Sequence, residues 1–178
     1  MEKLLLHHCC APCTPNVLEF LGKEYQVLSF WFNPNIQPAD EHDKRKESLK
    51  SYLKSLGREL IANPDFTKDD RISKVRNEGS ERCRLCYHLR LSKTAEHAKK
   101  NNIKFYSSTL LSSPHQKHEE VKVIAEQIAK AEGLNFLYKD FRPFYYEGKN
   151  RIKEMGLYSQ KYCGCMPSLD ERMKEQKK

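Results

Sequence analysis

The sequence predicts an α/β fold: a parallel sheet of about five strands in the order 3-2-1-4-5, with helices on both faces. Three observations carry this. Short apolar or aromatic runs alternate with longer stretches of helical periodicity, the pattern of strands joined by right-handed crossovers. No glycine- or serine-rich linker, low-complexity tract or internal repeat divides the 178 residues, so residues 1–178 read as one domain. A chain of that length also buries a core without disulfide staples.

The first strand spans Lys3 to His7 and is built on the run Leu4-Leu5-Leu6. A helix then starts at Thr14 and Pro15, an N-cap and a first helical residue, and carries Val17, Leu18 and Leu21 on one face. The second strand covers Tyr25 to Phe32, and a helix from about Ala39 to Leu56 follows, closed by Gly57. Glu59 to Asn63 form the third strand, and a helix from about Glu81 to Asn101 has Ser80 as its cap. Lys104 to Leu110 are the fourth strand. After Pro114, the stripe Val121, Ile124, Ala125, Ile128 and Ala129 marks an amphipathic helix ending at Gly133, and Asn135 to Asp140 are the fifth strand. From about residue 141 the chain becomes an aromatic and basic C-terminal segment.

A net charge of +8 and a pI near 9.1 fit a polyanionic partner, and a general excess of surface lysine produces the same figures. The N-terminus offers only the leucine triplet before a pair of histidines, too short for a signal-peptide core or a membrane span. The expectation is a cytoplasmic chain in a reducing compartment, with no membrane partner. There, seven cysteines arranged as a doublet, a C-x-x-C and a C-x-C read as metal ligation or redox chemistry.

In a sheet of this order, ligands bind beyond the carboxyl ends of the strands, between the first and fourth. The loops there are "HCCAPCT" and "TLLSSPHQ". Cys83 and Cys86 open a helix and Cys13 precedes one, where the helix dipole and unpaired N–H groups favour thiolates. Four thiolates of a structural zinc site commonly come from two C-x-x-C knuckles, but the partner of Cys83 and Cys86 here is a doublet. Cys9, Cys10, Cys83 and Cys86 have the number and type of ligands for a [4Fe–4S] cluster. Cys163 and Cys165 suit either a labile disulfide or, with Cys13, a second metal. Ser112, Ser113 and His115 face the same crevice as substrate contacts or as helix caps. Asp40, Glu41, Asp43 and Arg45 serve either to orient substrate or move protons, or simply to begin a charged helix.

Taken in order, "HCCAPCT", "FWFNPNIQPADEHDKR", "RCRLCYHLRLSKTAEHA", "SSTLLSSPHQ" and "YCGC" resemble the cobalamin-independent epoxyqueuosine reductases, over about Leu4 to Pro167. The resemblance implies a nucleotide-hydrolase-like α/β fold and reduction of epoxyqueuosine to queuosine at the wobble position of tRNA. It implies a [4Fe–4S] cluster on Cys9, Cys10, Cys83 and Cys86, a redox-active pair in Cys163 and Cys165, and an external electron donor. A second, mononuclear iron on Cys13, Cys163 and Cys165 is the alternative to that redox pair. Catalysis is then expected from Cys13, Cys163 and Cys165. An anticodon loop also suits the C-terminal segment, where Arg142, Lys149, Arg151, Lys153 and Lys161 interleave with Phe144, Tyr145, Tyr146, Tyr158 and Tyr162. The competing reading is a zinc-stabilised RNA-binding module without catalysis.

Overall fold

In a computed structural model, which describes residues 1–63 and 81–177, five short strands hydrogen-bond into one all-parallel sheet. They are β1 (Lys3–His7), β2 (Gln26–Trp31), β3 (Leu60–Ala62), β4 (Phe105–Ser108) and β5 (Asn135–Phe136), in the expected order β3-β2-β1-β4-β5. β1 lies between β2 and β4, in a register that sets His7 beside Phe30 and Ser108. Being covered on both faces, it carries a continuous apolar run, and Leu4, Leu5 and Leu6 are completely buried.

Six helices surround the sheet among the described residues: α1 (Pro15–Leu21), α2 (Ala39–Ser55), α3 (Arg82–Lys100), α4 (His118–Glu132), α5 (Tyr145–Glu154) and α6 (Met166–Glu175). Right-handed crossovers place α1 and α2 on one face and α3 and α4 on the other. α3 packs on α4, and α1 on α5. No described helix is long and apolar enough to cross a membrane.

Several boundaries differ from expectation. β5 stops after two residues, and just beyond it the Ser107 hydroxyl donates to the Leu137 carbonyl at 2.8 Å. β4 ends at Ser108, whose side chain accepts from Leu110 N and turns the chain into a 3-10 turn, Thr109–Leu111. The helix after Pro114 begins only at His118, since Ser113 Oγ accepts from His115 N and holds an intervening turn. Ser80, the expected cap of α3, lies outside the described residues.

Thr14 is not a side-chain cap: its hydroxyl donates to the Cys10 carbonyl at 2.8 Å and so folds the cysteine loop instead of capping α1. The C-terminal segment forms α5 and α6, which were not expected as helices. Tyr145 and Ile152, seven positions apart, are the buried apolar side of α5.

Candidate active site

The carboxyl ends of β1 and β4 open onto a cavity of about 640 Å³, with Cys9, Cys10 and Cys13 among its lining residues. The three sulfurs lie within 4.8 Å of one another, and among the described residues no other three His, Cys, Asp or Glu ligand atoms gather this way. This buried trio could hold a metal ion. A second, smaller cavity of about 50 Å³ is lined by Cys83, Cys86, Cys163 and Cys165. Arg90, Gln116 and Cys163 line both spaces. All seven cysteines are free thiols.

The trio is held by groups from both sides of the crevice. Cys9 N donates to Thr109 Oγ1 at 2.9 Å, and the same hydroxyl donates to Cys9 Sγ at 3.2 Å. The donors Cys10, Cys13 and Thr109 pull the Cys9 thiol well below its ordinary pKa. Burial pushes Cys10 up, and the sulfur contacts with Cys10 and Cys9 push Cys13 up. Of the three, Cys9 is the thiol most disposed to ionise, with Cys10 and Cys13 as its donors.

The two histidines before the trio are neutral and take opposite tautomers. His7 Nε2 reaches the Phe32 carbonyl, which can only accept, so Nε2 carries the proton and Nδ1 accepts from Ser108 at 2.9 Å. Thr14 spends its proton on Cys10 O, so His8 Nδ1 must donate to Thr14 Oγ1 at 2.9 Å. His8 Nε2 is then a buried acceptor with no hydrogen-bond partner among the described residues. Burial lowers His7 to about 4 and His8 to about 3.

At the start of α3, Cys83 and Cys86 are half-buried. Cys163 and Cys165 come from the last loop, which α2 fixes. Arg45 pairs with Glu41 at 2.6 Å and donates to the carbonyls of Cys163 and Tyr162, each at 3.0 Å. Tyr158 donates to the other Glu41 oxygen, and Ser48 donates to Tyr158 O. Gly164 between the cysteines has φ +125°, and an added Cβ would lie 3.1 Å from both Arg45 Nη1 and Ile36 Cγ1. The Cys163 thiol lowers its neighbour Cys165 to about 5, and that same contact raises Cys163.

A family model described as epoxyqueuosine reductase QueH matches residues 4–171. The chain belongs to the epoxyqueuosine reductase QueH family. An epoxyqueuosine reductase QueH of Dehalococcoides mccartyi is 39% identical over 171 residues, which is 96% of this chain and 94% of the relative. The Thermotoga maritima QueH is 34% identical over 181 residues, covering 97% and 93% of the two chains. A Streptococcus pyogenes QueH is 28% identical, with 92% of this chain and 69% of the relative covered.

Within this QueH-family fold, the expected site residues converge on one edge of the sheet. Cys9 and Cys10 group with Cys13, while Cys83 and Cys86 share their cavity with Cys163 and Cys165. Ser113 and His115 line the larger cavity, where the His115 ring meets Tyr145 edge-on at 6.0 Å. Of the four charged candidates at the start of α2, Asp40 and Asp43 are exposed, whereas Glu41 and Arg45 turn inward. Arg142 pairs with Asp140, Arg151 pairs with Glu19 and Glu147, and Tyr145 is buried, so only part of the basic and aromatic segment remains open to a partner. Lys149, Lys161 and Tyr162 line the cavity. Thr109 and Arg90 were not anticipated. Arg90 does stand one helical turn beyond Cys86, a spacing that could have placed it beside the thiols.

Proposed function

We propose that this chain reduces epoxyqueuosine to queuosine within the anticodon loop of a tRNA. Membership of the QueH family, with a buried thiol trio in a nucleoside-sized cavity at the sheet edge, is what supports the reading. Turning the epoxide into an alkene consumes two electrons and two protons and releases the oxygen as water. The buried, mutually close thiols of the trio fit a soft-metal or iron–sulfur centre by donor type and charge. When bound, a [4Fe–4S] cluster supplies electrons one at a time, so a two-electron reduction needs a second redox-active or Lewis-acidic group beside it.

Two partitions of the cysteines follow. By motif, Cys9, Cys10, Cys83 and Cys86 hold the cluster, and Cys163 and Cys165 are the redox pair, or hold a second iron with Cys13. The grouping of the thiols favours a second reading, with the cluster on Cys83, Cys86, Cys163 and Cys165 and a mononuclear iron on Cys9, Cys10 and Cys13. In both, the protein's own work is to admit a base swung out of its stack and keep bulk water from it. Tyr162 and His115 offer aromatic faces in the cavity, and Lys149, Lys161 and Arg172 offer cations for phosphates.

The test is anaerobic reconstitution with iron and sulfide, then incubation with tRNA carrying epoxyqueuosine and an artificial low-potential reductant. Queuosine is expected on nucleoside analysis. A colourless protein that binds zinc, takes up no iron and converts nothing would overturn the proposal in favour of an RNA-binding module. Cys163→Ser separates the partitions: the motif assignment keeps the cluster spectrum and loses turnover, whereas the cavity assignment loses the cluster itself.

A further inference from the structure

Arg90 is a buried cation with no carboxylate partner among the described residues. Its residue is 2% exposed, and among the described residues it forms no ion pair with Asp or Glu. Its two hydrogen bonds are long and go to neutral acceptors: Nε to the Cys86 carbonyl and Nη1 to Asn33 Oδ1, both at 3.4 Å. Nη2 is buried and has no hydrogen-bond partner among the described residues. The guanidinium lies 5.8 Å from the centroid of the Tyr87 ring, and the residue forms part of the wall of both cavities.

A buried charge left in this state is costly, and the usual remedies are pairing or loss of the charge. Arginine cannot lose its charge in proteins, so the compensation must be anionic. Among the described residues, the anion-forming groups around it are Cys86, Cys163 and Cys9, which line the two cavities with it, and the Tyr87 phenol. They come from both thiol groups. Burial works against the charge of Arg90, and these neighbours hold its pKa above the ordinary arginine value. The side chain is anchored from behind: Asn33, which receives Nη1, itself donates to the His8 carbonyl at 2.8 Å, tying Arg90 to the loop that carries the trio.

We infer that Arg90 is the fixed counter-cation of the thiolate-bound centre, a positioning residue whose charge and free Nη2 stabilise the additional negative charge the centre takes on when reduced. The inference rests on the reading of the cysteines as ligands of an iron–sulfur centre. It is independent of which partition holds, because Arg90 faces thiols of both groups. Net charge and hydrogen bonds near the sulfurs are the levers by which a protein sets such a centre's potential. A cation in this position raises the potential and makes the centre easier to reduce.

The test uses the full chain, reconstituted anaerobically, as wild type, Arg90→Lys, Arg90→Gln and Arg90→Met. Iron and sulfide content, circular dichroism and the midpoint potential are measured, the last by a redox titration followed through the reduced centre's paramagnetic signal. Arg90→Lys is expected to keep the potential close to wild type, while the two neutral variants, folded and loaded, shift it downward. Folded neutral variants that cannot retain the cluster, beside an Arg90→Lys that can, also support the charge role. Neutral variants with the wild-type potential overturn it. So does a Lys variant as defective as Met, or neutral variants that fail to fold, either of which makes Arg90 a scaffold residue. Wild-type protein that takes up no iron removes the underlying reading itself, an outcome visible before any variant is compared.

Discussion

At the scale of single residues, Thr109 links the two sides of the crevice through one hydroxyl that accepts from Cys9 N and donates to its sulfur. Thr109→Val keeps the shape and removes both bonds. The Cys9 thiol is then expected to ionise at higher pH, read from thiolate ultraviolet absorbance in the metal-free, reduced protein. The paired histidines give a second expectation, in stability. His7 and His8 titrate near 6.5 when unfolded but are held to about 4 and about 3 when folded. Between those values the unfolded chain binds more protons than the folded one, so stability rises with pH up to about 6.5 and levels off above it. Two such groups produce a slope of at most about 2.7 kcal/mol per pH unit. Urea melts of the metal-free protein between pH 5 and 7 should show it, and His8→Asn should remove roughly half. A flat profile across that window would mean that the histidines titrate in the fold as they do in the unfolded chain.

At the scale of elements, α5 owes its position to a missing side chain. A Cβ on Gly148 would sit 2.8 Å from the Pro12 carbonyl and 3.4 Å from the Pro15 ring, so α5 lies directly on the cysteine loop and the start of α1. Since Pro12 O is backbone, Gly148→Ala must displace α5 or the loop, at about 1–3 kcal/mol. Thermal melting should fall, and iron retention should fall with it because Pro12 stands between Cys10 and Cys13. An unchanged melting temperature with full iron would show that the helix is free to shift. The loop holding Cys163 and Cys165 depends likewise on α2, and Tyr158→Phe is expected to loosen it by removing the bond to Glu41. A higher rate of alkylation of those two thiols is the measurement. The strands and the long helices could be read locally, because apolar runs and the α4 stripe are properties of adjacent residues. α5 could not, since its glycine matters only against Pro12. Thr109 meets Cys9 across 100 positions, and Arg45 meets Cys163 across 118, distances at which no periodicity speaks.

At the scale of the whole molecule, sheet order and charge act together. The order β3-β2-β1-β4-β5 brings the loops after β1 and β4 to one edge, which is why motifs roughly a hundred residues apart could be assigned to a common site before any coordinates. The net charge of +8 said less, because it does not tell which cations are already used. The structure separates them: Arg142 and Arg151 are occupied by acidic partners, while Lys149 and Lys161 line the cavity. Binding of an anticodon stem-loop should therefore weaken with salt in proportion to the cavity cations alone. Each phosphate neutralised on a single-stranded loop contributes about 0.7 to the slope of log affinity against log salt. Replacing Lys149 and Lys161 together by Gln should make that slope shallower by about 1.4, whereas Arg151→Gln should leave it nearly unchanged. Fluorescence anisotropy with a labelled stem-loop over a salt series measures both. Equal changes in the two variants would mean that the RNA lies along the outer face of α5 instead of across the cavity mouth.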